Sequence, residues 1–458
     1  MTPQLIYNHS IEDSDIHNLC EDLVQYSDIA PKYYERFDVK RGLRNADGSG
    51  VIAGITRICM VHGYAMSEGE RQPIPGQLIY RGYDINDLIE NAEREDRYVF
   101  EEVAYLLLFG RLPNGADLER MTRSLGVRRE LPPGFLVDSI MQSPSNNIMN
   151  KLARSILSLY SYSDVTENTT IEDEMSIALD LIAKMPILMD GAYQAKRHKY
   201  DNASLIMHPL RPEENTAESI LSLIRNDRSY TKAEAQLLDT LLALHADHGG
   251  GNNSTFTTHV VSSSGTDTYS AVAASLSSLK GPRHGGANLK VMEMFENIEE
   301  NVTNWEDENE LRTYLTKILD REAFDGTGLI YGMGHAVYTL SDPRCVILKE
   351  YAKKLSAEKH REKEFARYES VERIAGECIA KKRRLLKPVC ANVDFYSGFV
   401  YTMLGLPKEL YTPIFAISRI SGWSAHRIEE LVNEGKIIRP AYKYVGHHTE
   451  FYARDERE

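Results

Sequence analysis

The sequence lacks what a bilayer, a nucleic acid or an oxidising compartment would require. Across 458 residues no apolar run reaches the ~18 residues of a membrane span. The opening MTPQLIYNHSIEDSD has neither the basic nor the apolar region of a secretory signal, so a cytoplasmic location is expected. Cysteine is scarce: Cys20, Cys59, Cys345, Cys378 and Cys390 lie far apart with no C-x-x-C, which argues against a disulfide framework or a thiolate zinc site. Positive charge is in deficit, 53 Lys plus Arg against 67 Asp plus Glu, a net charge of −14 that disfavours nucleic acid. Any polyanionic ligand must therefore meet arginines gathered locally. There is no repeat, no low-complexity tract and no Gly/Ser- or Pro-rich linker. Strand signals are few, confined to SGVIAGITRICMVHGY, GQLIYRGY and the late PAYKYVG.

What is present is mostly helical. EDRYVFEEVAYLLLFG sets Val99, Val103, Leu106 and Leu107 on one face and stops at Gly110. TKAEAQLLDTLLALHADHGGG opens with a capping box, Thr231 and Glu234. Leu237, Leu241, Leu244 and His248 follow at helical spacing, and glycines end the pattern. SAVAASLSSLKGP is a helix of small residues suited to close packing, ended by Gly281-Pro282, and further amphipathic helices fill the C-terminal half. Residues 200–215 read as a long turn-rich connection. The class is mainly α, with minor β near the N-terminus.

Three histidines stand at a helix end or in glycine-rich turns: His248, His284 in GPRHGGAN, and His335 in YGMGHAVY. Glycine permits close backbone approach and proline fixes φ, so the imidazole of His284 is held on a sharply turned chain. Asp394 in ANVDFYSG precedes an apolar helix. An N-cap there would lower its pKa, whereas a base acting on a weak C–H acid needs the opposite, burial. Arg344 in SDPRC, Arg419 in FAISRISG and Arg439 in IIRPAY have apolar or proline neighbours, where a charge is costly unless paired or used. Guanidinium suits bidentate recognition of a di- or tricarboxylate. Each residue also has an ordinary reading: a core or loop histidine, a cap, a structural salt bridge. In the HADH run (His245, Asp247, His248) the i, i+3 pair His245 and His248 could offer two metal ligands, but no further His/Asp/Glu cluster supplies a third and fourth, and no metal is expected. The run Lys381–Arg384 reads as a solvated helix face or a phosphate contact.

HADHGGGNNST, GPRHGGAN, GMGHAVY…DPR, NVDFYSG, FAISRISGWSAH and IIRPAYKYVG follow the order and about the spacing of the citrate synthase family. The resemblance runs from about residue 50 to about residue 450. It implies a large helical domain, 1–284 with 394–458, split around a small helical domain, 285–393, in a homodimer. It implies condensation of acetyl-CoA with oxaloacetate to citryl-CoA, then thioester hydrolysis, with acetyl-CoA as co-substrate and no permanently bound cofactor. By the family pattern His284, His335 and Asp394 are catalytic. His248, Arg344, Arg419 and Arg439 bind oxaloacetate, Arg439 from the partner subunit. Gly332 and Gly334 meet the adenine of CoA. Gly249, Thr339, Arg283 and Cys390 depart from the pattern; Thr339 replaces an arginine that some relatives use on CoA phosphate, with Arg383, Arg384 and Lys387 as substitutes. Alternatives are 2-methylcitrate synthase using propionyl-CoA, a non-catalytic CoA- or carboxylate-binding protein on the same scaffold, and a metal-dependent hydrolase.

Overall fold

The structure, a computed structural model, describes residues 27–456 apart from 46–48, 68–69, 168–169 and 386, together with Cys20 and Leu23. The chain divides into two units, 54–438 and 1–53 with 439–458. In the second of these, α1 (Lys32–Arg36) buries none of its residues. PAYKYVG, expected as a strand, forms none: its alternation finds no ladder partner among the described residues, and Tyr442 and Tyr444 are 94% and 83% exposed.

The 54–438 unit begins with an antiparallel sheet, β1 (Cys59–Ser67), β2 (Glu70–Tyr80) and β3 (Tyr83–Asp84), in the order β1-β2-β3. Helices follow: α2 (Ile85–Arg94), α3 (Phe100–Phe109), α4 (Gly115–Arg128), α5 (Ile148–Leu159), α6 (Ile171–Tyr200), α7 (Thr216–Ile224) and α8 (Lys232–His245). Next come α9 (Asn253–Ser262), α10 (Thr268–Lys280), α11 (Ala287–Asn301), α12 (Glu308–Leu319), α13 (Pro343–Glu358), α14 (Glu362–Arg383), α15 (Val393–Met403) and α16 (Tyr411–Val432). The expected class, mainly α with minor β near the N-terminus, is the observed one.

Local chemistry sets many boundaries. Thr231 and Glu234 make the reciprocal capping box of α8. Gly110 closes α3 at φ +76°. Asp342 caps α13 with Pro343 in its first turn, the favoured place for a residue without an N–H. One boundary differs from expectation. α8 ends at His245, not His248, so His248 lies in the irregular stretch that turns at Gly249, φ +79°.

α16 is buried from Tyr411 to Ile428 apart from the half-buried Phe415, and it carries Arg419, His426 and Arg427 inside with it. Small residues let α9 and α10 approach until Thr258 Oγ1 and Ser275 Oγ are 2.7 Å apart. The β hairpin lies against residues 337–341. A Cβ on Gly63 would stand 2.7 Å from the Val337 carbonyl, and one on Gly76 would strike the Ser341 carbonyl and the Tyr338 ring. The Gly76 N–H instead donates to Ser341 O at 3.2 Å.

Candidate active site

His284 sits in the turn after α10, its N–H on Gly281 O at 2.9 Å. Its Nε2 faces the Ser254 backbone N–H at 3.3 Å and the Ser254 hydroxyl at 2.9 Å. A nitrogen that accepts from an N–H carries no proton, so the neutral ring presents Nδ1–H. Burial, helped by the positive charge of Arg419, lowers the pKa to about 4, so the ring is neutral at pH 7.

His335 has the other tautomer. Its Nδ1 accepts from the backbone N–H groups of Val337 and Tyr338 at 3.1 and 3.2 Å, which puts the proton on Nε2. Its ring stacks on Tyr338 at 4.6 Å and meets His248 edge-on at 5.0 Å. Burial, then Arg344, holds the pKa of His248 well below the ordinary imidazole value. His248 Nε2 is buried with no hydrogen-bond partner among the described residues. His245 turns elsewhere, Nδ1 to Leu241 O at 2.9 Å and its ring edge-on to Phe415 at 4.6 Å. The two imidazoles of the HADH run thus serve different neighbours, and the described residues hold no cluster of three metal-ligating side chains.

Asp394 is not the N-cap of α15. Asn392 takes that place, its side chain accepting from the Asp394 N–H at 3.0 Å. The Asp394 carboxylate is thereby left uncapped. Burial pushes its pKa up to about 6, against the pull of Arg344 and Arg419 and with help from Asp342. Asn392 also ties the His335 segment to α15: its N–H donates to Gly332 O at 2.8 Å and its side-chain amide to Gly334 O at 2.8 Å.

The arginines differ in how they are satisfied. Arg344 forks onto Asp342, Nε to Oδ1 at 3.0 Å and Nη2 to Oδ2 at 2.7 Å. Despite burial, Asp342 raises the pKa of Arg344, and Arg344 holds Asp342 below the usual carboxylate value. Arg419 is 0% exposed, donates from Nε to His245 O at 2.7 Å and lies over the Phe415 ring at 4.7 Å. No carboxylate stands within ion-pair reach of it among the described residues, and its Nη1 is buried without a partner. Leaving a guanidinium so costs several kcal/mol, an order that points to an anion as the missing partner.

Gly332 and Gly334 turn the chain at φ +78° and +87°, and a Cβ on Gly332 would lie 2.9 Å from both Phe395 and Val291. The Gly334 N–H donates to Cys390 O at 2.7 Å. Arg383, Arg384 and Lys387 are exposed. Arg439 falls in the other unit and is exposed. Sequence reasoning missed Ser254, Asn392, Asp342 and Tyr338, which orient the predicted side chains. Only Asp342 carried a local signal, an Asp-Pro helix start.

Residues 46–441 match the family model described as "Citrate synthase, C-terminal domain". The citrate synthase of Haloferax volcanii is 33% identical over 430 residues, 92% of this chain and 99% of that protein. The 2-methylcitrate synthase of Shewanella oneidensis is 33% identical over 369 residues, 81% of this chain and 88% of that protein. A solved citrate synthase from Thermoplasma acidophilum, a ternary complex with carboxymethyl coenzyme A and oxaloacetate, superposes with a TM-score of 0.73 at 26% identity, covering 92% of this chain and 99% of that one.

Proposed function

We propose that this chain, which belongs to the citrate synthase family, condenses acetyl-CoA with oxaloacetate and hydrolyses the citryl-CoA formed to citrate and CoA. The observation that carries the reading is the buried guanidinium of Arg419, which lacks a carboxylate partner and is an electrostatic neighbour of His248, His284 and Asp394. Oxaloacetate supplies the missing anion at Arg419, Arg344 and the unpartnered Nε2 of His248.

Asp394 removes a proton from the acetyl methyl group. Its raised pKa makes it a stronger base than an exposed carboxylate while leaving it mostly ionised at pH 7. The Nδ1–H of neutral His284 donates to the thioester oxygen as charge develops there. The Nε2–H of His335 polarises the ketone and protonates the new alkoxide. Water then cleaves the thioester. Gly332 and Gly334 take the adenine through carbonyl lone pairs that their internal bonds leave over, and Arg383, Arg384 and Lys387 take the phosphates.

The working form is a homodimer, with 285–393 as the small domain. Arg344 is offset by Asp342 and Arg419 is partly offset by Asp247, so a dianion calls for a further cation. Arg439 of a second copy fills that need, and the exposed aromatics of its segment, Tyr442, Tyr444 and Phe451, suit burial against that copy. No helix among the described residues is long and apolar enough to cross a membrane, in keeping with a cytoplasmic enzyme. The test is release of free CoA thiol from acetyl-CoA in the presence of oxaloacetate, without added metal. Relatives named 2-methylcitrate synthase make propionyl-CoA the necessary comparison. One methylene in an apolar pocket changes kcat/KM by about 10- to 200-fold, and a higher value for propionyl-CoA would reassign the substrate.

A further inference from the structure

Four titratable side chains form a file from beside His248 to the surface. Asp247 Oδ2 lies 3.0 Å from His426 Nε2. His426 Nδ1 lies 3.2 Å from His259 Nε2, and His259 Nδ1 lies 3.0 Å from Glu430 Oε2. The side chains of Asp247 and His426 are 0% exposed, those of His259 and Glu430 15% and 18%.

Each of the three contacts needs one hydrogen. With both carboxylates ionised, each end can only accept, so His426 donates from Nε2 and His259 from Nδ1. The middle contact then needs a third proton, on His426 Nδ1 or His259 Nε2. Two neutral imidazoles bring only two. The file is complete only with one proton more, held on the imidazole pair or on Glu430. Without it two acceptors face each other and one bond must open.

We propose that His426, His259 and Glu430 are positioning residues for oxaloacetate, and that the extra proton they hold offsets Asp247 from behind and leaves the charge of Arg419 to the substrate. When the proton leaves, neutral His426 still donates to Asp247, but the positive charge that offsets this carboxylate then comes from Arg419, and oxaloacetate binds less tightly. This rests on the reading that Arg419 receives oxaloacetate.

The surroundings fix the direction. Arg419 from α16, Cys59 from β1 and Tyr80 from β2 face Asp247. Glu429 stands 4.0 Å from His426 Nδ1, and Arg81 is a charged neighbour of Glu429. Despite its burial, His426 and Arg419 hold Asp247 down to about 2, so the extra proton does not rest there. Burial and His426 hold the pKa of His259 below the ordinary imidazole value, so the extra proton is lost as pH rises. Reciprocally, bound oxaloacetate tightens the file's hold on that proton.

The test is Glu430→Gln, whose amide donates to His259 Nδ1 and completes the file with neutral rings. In the wild-type full-length protein the KM for oxaloacetate should rise about three- to tenfold between pH 5.5 and 7.5, the order one unit charge gives across a polar interior. In the variant that rise should vanish, while the pH profile of kcat, governed by Asp394, stays the same. His259→Gln, which also donates to His426 Nδ1, should flatten the profile likewise and serves if Glu430→Gln folds poorly. NMR of the histidine rings should show a shared step in the wild type that is lost in either variant. KM profiles that superimpose on the wild type's overturn the inference. Arg419→Gln separates the two layers. If it leaves the KM for oxaloacetate unchanged, the reading beneath fails; if it raises KM while the profiles superimpose, only the file's role fails.

Discussion

Asp394→Asn should cost activity and gain stability in the same molecule. The substitution keeps the shape of the side chain and removes a carboxylate whose pKa stands at about 6 instead of 3.8. The folded state thus holds the proton more tightly than the unfolded chain does. Its ionised form carries a penalty of ~3 kcal/mol, at 1.36 kcal/mol for each tenfold change in proton affinity. That penalty is fully present above about pH 6 and disappears below about pH 4, where the group is protonated in both states. Asparagine is neutral throughout. That shift is already net of the attraction to Arg344 and Arg419, so about 1–3 kcal/mol of stabilisation should appear at pH 7.5, a rise in Tm of roughly 1–3 °C for a chain of this length. The gap should close towards pH 4. Over the same range the wild-type kcat should rise with pH and inflect near 6, as the base ionises. The variant should lose ~10²–10⁴ in kcat, the ordinary worth of a positioned base. Thiol release and thermal melts at matched pH give both readings. A variant that keeps a tenth of the wild-type kcat, or melts lower at pH 7.5, would refute the assignment of a buried, uncapped base.

Three further expectations rest on separate contacts. Arg419→Gln should raise the KM for oxaloacetate by ~10²-fold or more and leave the KM for acetyl-CoA within a few-fold, because a buried charge pair broken on one side costs about 3–5 kcal/mol. Steady-state titration of each substrate measures the split. His284→Ala should lower kcat ~10²–10³-fold, as removal of an oxyanion donor does. Ser254→Ala retains the N–H that sets the tautomer and should cost less than about tenfold; similar losses for the two variants would contradict the tautomer argument. Gly76→Ala should destabilise by about 1–3 kcal/mol and depress kcat, because its new methyl group would press on Ser341 and Tyr338 between His335 and Arg344. Denaturant melts with an unchanged midpoint would show that the hairpin does not brace that segment.

Local rules account for much of what the sequence revealed. The capping box at Thr231 and Glu234 and the stop at Gly110 each act within a turn of helix, so four or five residues suffice to read them. The same holds for the types of the site residues: a histidine between glycines and an arginine on an apolar helix are anomalies visible in one dimension. The tertiary structure alone decided what those residues are in chemical terms. Whether Asp394 caps its helix or stands free turned on Asn392 two residues away, since either side chain suits a cap. The tautomer of His284 depends on Ser254, 30 positions earlier, and Asp247 meets His426 across 179 positions. Protonation and charge depend on what lies within a few ångströms, and packing brings together groups whose separation along the chain no local preference records.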